Sequence, residues 1–380
     1  MASTCRPPLD LLQPPFLRVE KGRDPVPDAE RVEERLQALF PDAFLVSATA
    51  GTFVDSGDYH FEGGFRIRLL AAACQRVRQE LNAGSLLPAG TVRPGTVRLQ
   101  VGHTMPLGIP LRTALDPLCA TTSPPLALPL GLDTDGRPVV VDLRAQPHLM
   151  VAGGPGTSKT TFLRTLLTTL IMRCDPQQLR LVLISASSET WAPFGGLRHL
   201  ACVTGRAQDG HDLLRWIAEE VDRRFRLLAG RGVRSIQSYN EREAGNGGSA
   251  ERLPFLVVAI DDIAPLVAGR KHPVEEAIAA LSISGRAVGI HLIAATSCVS
   301  PEVIGGLVKA NLPARIAFRL TSDEESVMVD VRGADGLFEH GDALYLAPTA
   351  TTAERRHTFW ISDEEIRAVV DWWDAASVAA

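Results

Sequence analysis

His148-Leu-Met-Val-Ala-Gly-Gly-Pro-Gly-Thr-Ser-Lys-Thr-Thr-Phe-Leu163 is the stretch on which the reading turns. An apolar strand, Leu149 to Ala152, empties into a Gly-rich turn. Lys159-Thr160 then opens a helix whose apolar positions include Phe162, Leu163, Leu166 and Leu167. Strand, glycine turn, Lys-Thr and helix in this order are what a phosphate-binding loop requires. The first N–H groups of a helix have no partners inside it, and the helix dipole favours negative charge there. The predicted ATP cradle is therefore Gly153, Gly154, Pro155, Gly156, Thr157, Ser158, Lys159, Thr160 and Thr161. In it Lys159 reaches the β- and γ-phosphates and the Thr160 hydroxyl holds Mg²⁺. One position departs from the pattern, because Ser158 stands where glycine would precede the lysine. Glycine there lets backbone approach phosphate and adopt conformations that a Cβ opposes, so weakened nucleotide binding is expected.

Leu253-Pro-Phe-Leu-Val-Val-Ala-Ile-Asp-Asp262 supplies the other half of such a site, an apolar strand ending in two carboxylates. In that position Asp261 holds Mg²⁺ through water and Asp262 orients the attacking water. Lys159, Asp261 and Asp262 are thus the catalytic candidates, and Thr160 with Asp261 the metal-binding pair. A plainer reading is that the acid pair caps the next helix. Asp262 is one methylene shorter than the glutamate usual in motor ATPases. Since ~1 Å of misplacement can cost about a hundredfold in rate, it is expected to be a poor base.

The chain has 380 residues, enough for two domains or one large domain with an appendage. A hydrophobic fraction of 45% supplies a core and excludes a disordered chain. Against 44 acidic residues stand 39 basic ones, a formal net of −5, so any contact with nucleic acid has to be local, as in the lining of a ring channel. Six cysteines (Cys5, Cys74, Cys119, Cys174, Cys202, Cys298) show no CxxC or Cys/His spacing, which argues against zinc and for reduced thiols. No run approaches the ~18 to 20 apolar residues of a membrane span, and no basic-then-apolar secretion signal opens the chain. A soluble, cytoplasmic protein without a direct membrane anchor is expected.

Residues 1–27 are Pro-rich and read as an extended lead-in. Residues 28–112 read as a small α+β module. It has a helix over Asp28 to Phe40, strands over Phe44 to Val54 and Tyr59 to Leu70, a helix over Ala71 to Asn82 and a strand over Val97 to Val101; Phe65, Ile67 and Leu69 alternate in the second strand. In residues 113–380, Leu115 to Pro129 is a Pro-rich crossing, and Leu128 to Asp133 with Pro138 to Leu143 form a hairpin. Strands are expected over Leu179 to Ser185, Ile290 to Thr296 and Ala314 to Leu320. Helices are expected over Gly210 to Gly230, Val274 to Val288, Pro301 to Lys309 and Ser362 to Trp373, with a polar loop over Ser235 to Ala250. Strands alternating with helices imply an α/β fold with a mostly parallel sheet covered on both faces.

With these pieces placed, the chain resembles the motor region of the FtsK/SpoIIIE family of double-stranded DNA translocases. The likeness is carried by Pro147 to Gly153, Leu214-Arg-Trp216 with Glu220 and Arg223-Arg-Phe225, Gly232-Val-Arg234 with Tyr239-Asn-Glu241, Arg286-Ala-Val-Gly-Ile-His-Leu292, Gly306 to Phe318, and Gly341-Asp-Ala-Leu-Tyr345. Leu9-Asp-Leu-Leu-Gln-Pro-Pro15 is similar to the entry of the same motor, so the likeness runs from about residue 8 to 374. The resemblance implies an N-terminal α module, a RecA-like P-loop NTPase core, and a hexameric ring that threads duplex DNA. A membrane-spanning N-terminus and a winged-helix C-terminus, both features of full-length members, are not legible here. Without the winged helix, DNA binding is expected to be independent of sequence and steeply salt-dependent.

Departures from the family pattern cluster at the chemistry. Ile184-Ser-Ala-Ser187 stands where the family has Ile-Asp-Pro-Lys. Ala295-Thr-Ser-Cys-Val299 stands where Ala-Thr-Gln-Arg-Pro would place a γ-phosphate-sensing glutamine. The family's Asp-Ser-Arg falls on Glu324-Glu325-Ser326, which puts Ser326 where an arginine is expected; supplied across a subunit boundary, such an arginine is worth ~10³ to 10⁵ in rate.

Three functions fit these observations. The first is an ATP-dependent translocase of duplex DNA. The second is a nucleotide-binding but hydrolysis-deficient ring subunit or DNA-binding scaffold. The third is a related motor that pumps protein, as type VII secretion ATPases do; the segments Gly232 to Asn240 and Lys309 to Phe318 favour DNA over protein. Trp216, Trp372 and Trp373 are read as core, and His291 as hydrogen-bonded structure. Arg223 and Arg224, beside Glu219 and Glu220, are read as salt-bridged surface. Lys309 and Arg315 are read as facing nucleotide or a neighbouring subunit.

Overall fold

The computed structural model describes residues 6–15, 26–50, 54–62, 67–81, 85–102, 108–120, 122–245, 252–269 and 271–378. After a single 3-10 turn at Leu9–Leu11 come α1 (Val26–Gln37), β1 (Ala43–Thr49), β2 (Val54–Phe61), α2 (Ile67–Glu80), β3 (Ser85–Arg93) and β4 (Thr96–Gly102). The four strands form an antiparallel sheet in the order β1-β2-β4-β3. Val32, Leu36, Tyr59, Phe61, Leu70, Val77 and Leu99 bury one core between this sheet and the two helices. Two sequence readings are corrected here. Ile67 and Leu69 open α2 instead of ending a strand, while Phe65 lies outside the described residues. Leu70, Cys74 and Val77 are buried at helical spacing and Leu69 is exposed, so the 3.6 period overrides a short alternation. Ser85–Arg93, left unassigned, is a strand whose register shifts between Pro88 and Gly90, a bulge that breaks the alternating pattern.

The chain continues through β5 (Ile109–Pro110), α3 (Arg112–Ala120), β6 (Ala127–Leu132), β7 (Pro138–Asp142), β8 (His148–Ala152), α4 (Lys159–Arg173), β9 (Leu179–Ile184), β10 (Leu200–Thr204), α5 (Ala207–Gly230) and α6 (Ile236–Gly245). Then come β11 (Phe255–Ile260), α7 (Ala264–Gly269), α8 (Lys271–Ala280), a π-turn at Leu281–Gly285, α9 (Arg286–Val288), β12 (Ile290–Thr296), α10 (Gly306–Asn311), β13 (Ala314–Ala317), α11 (Asp323–Met328), β14 (Asp342–Leu346), β15 (Glu354–His357), β16 (Phe359–Trp360) and α12 (Asp363–Val378). Ten strands form one sheet in the order β10-β9-β11-β12-β8-β13-β14-β15-β6-β7. It is parallel from β10 to β13 and antiparallel from β13 to β7. β8 and β12 are buried along their whole length, as strands covered on both faces must be. Almost all of α4 is buried too, and the Trp373 indole N–H donates to the Ile171 carbonyl at 2.9 Å, fixing α12 against it.

Other expectations need revision. The segment read as a Pro-rich crossing begins inside α3, and the segment read as a polar loop from Ser235 contains α6; residues 246–251 lie outside the described residues. The helix placed at Pro301 starts at Gly306. Trp216 is 40% exposed on α5, not core, whereas Trp373 is buried. Arg224 is buried, not on the surface; its guanidinium donates to Glu220 and to the carbonyls of Pro254 and Val288.

Candidate functional site

Four neighbouring parallel strands, β11-β12-β8-β13, release their carboxyl ends side by side, the place where open α/β sheets bind ligands. β11 ends at Asp261-Asp262, β12 at Ser297, β8 at the glycine turn and β13 at Phe318-Arg319. The turn is held by its own hydrogen bonds. Gly154 N–H donates to the Arg319 carbonyl at 2.8 Å, and the Thr157 hydroxyl to the Gly154 carbonyl at 2.8 Å. Gly156 has φ +75°, which reserves it for glycine. At Gly153 a Cβ would lie 2.7 Å from Thr157 Oγ1 and 2.9 Å from Phe318 Cβ. Ser158, by contrast, sits at φ −73° and ψ 18°, open to any residue, so its side chain introduces no backbone strain.

Lys159 is buried, and its ammonium donates to the carbonyls of Gly153 at 2.8 Å and Gly154 at 2.7 Å. Burial pushes this amine below its usual value, opposed by Asp262 and Asp261. The Thr160 hydroxyl donates to Asp261 Oδ1 at 2.7 Å, and Thr190 reaches the other Asp261 oxygen at 3.4 Å. Burial raises the Asp261 carboxyl above the usual carboxylate range, with Thr160 opposing. A hydroxyl and a carboxylate in contact beside a lysine are hard oxygen donors of the kind Mg²⁺ takes when phosphate and water fill its other positions, so these residues fit the ion.

Asp262 is placed differently. Its Oδ1 accepts from the Ala264 N–H at 2.9 Å and the Ser297 N–H at 3.4 Å, and its Oδ2 accepts the Ser297 hydroxyl. Asp262 therefore caps the start of α7, and Ser297, at the position expected to sense γ-phosphate, clamps it. Ser326 is buried, with its hydroxyl within hydrogen-bond reach of the Ser322 carbonyl at 3.2 Å and of Asp335 at 3.3 Å. Lys309 and Arg315 both pair with Asp330 of their own chain, and Arg315 also donates to the Lys309 and Leu312 carbonyls. His291 is fully buried with its Nδ1 on the Pro147 carbonyl at 3.3 Å, and burial pushes its pKa down to about 3.

Sequence reading missed Thr190 and Arg164. Arg164 donates to the Thr190 carbonyl at 2.7 Å and pairs with Asp363 at 2.7 Å, tying the segment after β9 to α12. No motif marks either residue. Among the described residues no group of three His, Cys, Asp or Glu is arranged to hold a metal, and no helix is long and apolar enough to cross a membrane.

Comparison with known proteins agrees with this geometry. The FtsK/SpoIIIE family model matches residues 111–303. The chain is 35% identical over 332 residues to the DNA translocase SftA of Bacillus subtilis (strain 168), covering 86% of this chain and 35% of that protein. It is 36% identical over 273 residues to a DNA translocase FtsK of Pseudomonas syringae pv. syringae (strain B728a), covering 66% of this chain and 34% of that protein. The chain thus spans about a third of the length of these relatives. Among solved structures it is similar to the pCW3 conjugation coupling protein TcpA, in a monomer form with ATPγS, at TM-score 0.61 and 18% identity, over 90% of this chain and 99% of that one. It is also similar to the cytoplasmic domain of the Thermomonospora curvata type VII secretion ATPase EccC, at TM-score 0.62 and 23% identity, over 70% of this chain and 34% of that one. At these identities the structural likeness establishes a shared fold, and the family match over half the sequence settles membership: the chain belongs to the FtsK/SpoIIIE family.

Proposed function

We propose that the chain is an ATP-driven motor unit acting on duplex DNA, with residues 113–380 as the ATPase core and 28–112 as a smaller accessory module. The observation that carries this is the convergence of Lys159, Thr160 and Asp261 on one turn. When nucleotide binds, the Lys159 ammonium exchanges two carbonyls for phosphate oxygens, a stronger, charge-assisted contact. Thr160 and Asp261 would hold Mg²⁺, which would supply charge neutralisation at the phosphates. Asp262, expected from the sequence to orient the attacking water, is engaged by Ala264 and Ser297, so slow turnover is part of the proposal. DNA is favoured over protein as the cargo by the two relatives at 35% and 36% identity, both named DNA translocases. A cleft of about 610 Å³ has Arg144, paired with Asp142 at 3.0 Å, and Arg286 on its wall, which leaves Arg286 as a local cation for a phosphate backbone despite the acidic net charge. Self-association into a ring, sequence-independent DNA contact in its channel, and a cytoplasmic site complete the proposal.

The bonds at Asp262 favour a second reading, a ring subunit that binds ATP and hydrolyses it poorly. Displacement of a third strand from a DNA triplex separates the two. The motor reading expects ATP-dependent displacement that Lys159→Ala abolishes. ATP binding without displacement would replace it with the second reading.

A further inference from the structure

Two clefts of similar size flank the phosphate loop, about 730 Å³ and 710 Å³. A nucleotide whose phosphates occupy the loop can lay its base in either, and their chemistry differs. The first touches Gly156, Ser158 and Thr161 and extends to Pro14, Pro110 and Trp360; among the described residues no carboxylate lines it, and His340 is the one titratable side chain that does. The second is lined by Asp323, Glu324, Asp335 and Glu339 against Arg78 and Arg319, four carboxylates to two guanidinium groups. That excess of negative charge opposes a triphosphate held beside it.

Trp360 is fixed on the wall of the first cleft. β16 pairs with β5, placing Trp360 opposite Pro110, and the Leu111 N–H donates to the Trp360 carbonyl at 2.9 Å. Gly108 backs the indole: a Cβ there would lie 3.5 Å from Trp360 Cγ, and φ +71° reserves the position for glycine. The strap that brings Gln13 and Pro14 to the same cleft is tied down by the Gln13 N–H on Glu365 at 2.7 Å. Despite these anchors Trp360 is 38% exposed, while its neighbour Phe359 is 2% exposed in the core. A rigidly mounted, open indole beside a cleft with no carboxylate among its described residues is a platform for a π-face.

We propose that the base of the bound nucleotide stacks on Trp360 in this cleft. The inference rests on the phosphate-loop reading and extends it to the base. Calorimetric titration of the full chain in Mg²⁺, with ATPγS and with inorganic tripolyphosphate, tests it. Trp360→Ala weakens ATPγS binding by about 10- to 100-fold, the range that base stacking on an aromatic side chain supplies. The same variant leaves tripolyphosphate within about twofold, because that ligand has no base, and Trp360→Phe restores most of the ATPγS affinity. Equal weakening of both ligands, or unchanged ATPγS affinity, overturns the placement of the base and leaves the phosphate loop standing. Lys159→Ala weakens both ligands; if it weakens neither, the phosphate-loop reading fails and the inference falls with it.

Discussion

Asp261 and Asp262 are adjacent in sequence at the end of one strand, yet the fold gives them different work. Asp261 faces the phosphate loop, accepts the Thr160 hydroxyl and has its carboxyl raised by burial. Asp262 faces the start of α7, where one backbone N–H from that helix and two donors from Ser297 occupy it. The half of the site proposed to grip nucleotide brings Lys159, Thr160 and Asp261 together, whereas the half that would activate water is engaged in holding the fold. Affinity for ATP and the rate of hydrolysis are therefore expected to come apart in this chain.

The largest effect that bears on this contrast is at Lys159. Lys159→Ala removes the one buried ammonium on the loop and is expected to lower ATP affinity at least about a hundredfold by calorimetry, since charge-assisted bonds to phosphate are the strong ones. A change within threefold would break the account of the gripping half. Asp261→Asn comes next, expected to weaken Mg²⁺-dependent ATP binding by about 10- to 100-fold while Mg²⁺-free binding holds. The same carboxylate sets a pH dependence. Mg²⁺ needs the ionised form, so with the free-state pKa raised, Mg²⁺-dependent binding is present above that pKa and declines as pH falls through it. Titrations across acidic pH should place the decline above the ~3.9 of an ordinary aspartate; a midpoint at or below that value contradicts the burial argument.

Asp262→Asn sharpens the comparison from the other side. With Asp262 acting as a cap, ATP turnover changes by about threefold or less; a hundredfold loss in the same assay would make it the working base and erase the contrast. The smallest effect is at Ser297. Ser297→Ala removes one donor from Asp262 and is expected to cost about 1 kcal/mol in chemical denaturation, with turnover unchanged or higher. A tenfold fall in turnover would give Ser297 a role in the reaction instead.

The strand, turn and helix around Lys159 were legible in the sequence because their signals are local and mutually consistent: an apolar strand, glycines at 153 and 156 where a Cβ is opposed, then Lys159-Thr160 opening a helix. The partner strand was equally plain from Leu256 to Ile260, since strands buried on both faces read as apolar runs. What decides Asp262 was not legible, because Ser297 meets it only after β12 is laid beside β11. The same holds for β14 and β15. Glu354-Arg-Arg-His357 does not read as a strand, yet the Arg355–Asp342 pair is buried to 2% and 0% side-chain exposure and is matched by Ser85 from the small module. α6 was read as a loop because Ile236 and Tyr239 are the apolar residues it buries. Trp216 illustrates the reverse error: its place on an amphipathic helix suggested core, but it lies outside the stripe formed by Leu214, Ile217, Val221 and Leu228.

The most direct test of the central claim is steady-state ATP hydrolysis by the purified chain, with and without long duplex DNA, beside ATP affinity under the same conditions and Lys159→Ala as the reference. The account predicts ATP binding that Lys159→Ala removes, together with slow turnover that DNA stimulates and the same substitution abolishes. Fast, DNA-stimulated turnover that Asp262→Asn reduces a hundredfold would contradict it, because the residue now tied to Ser297 and α7 would then be free to do the chemistry.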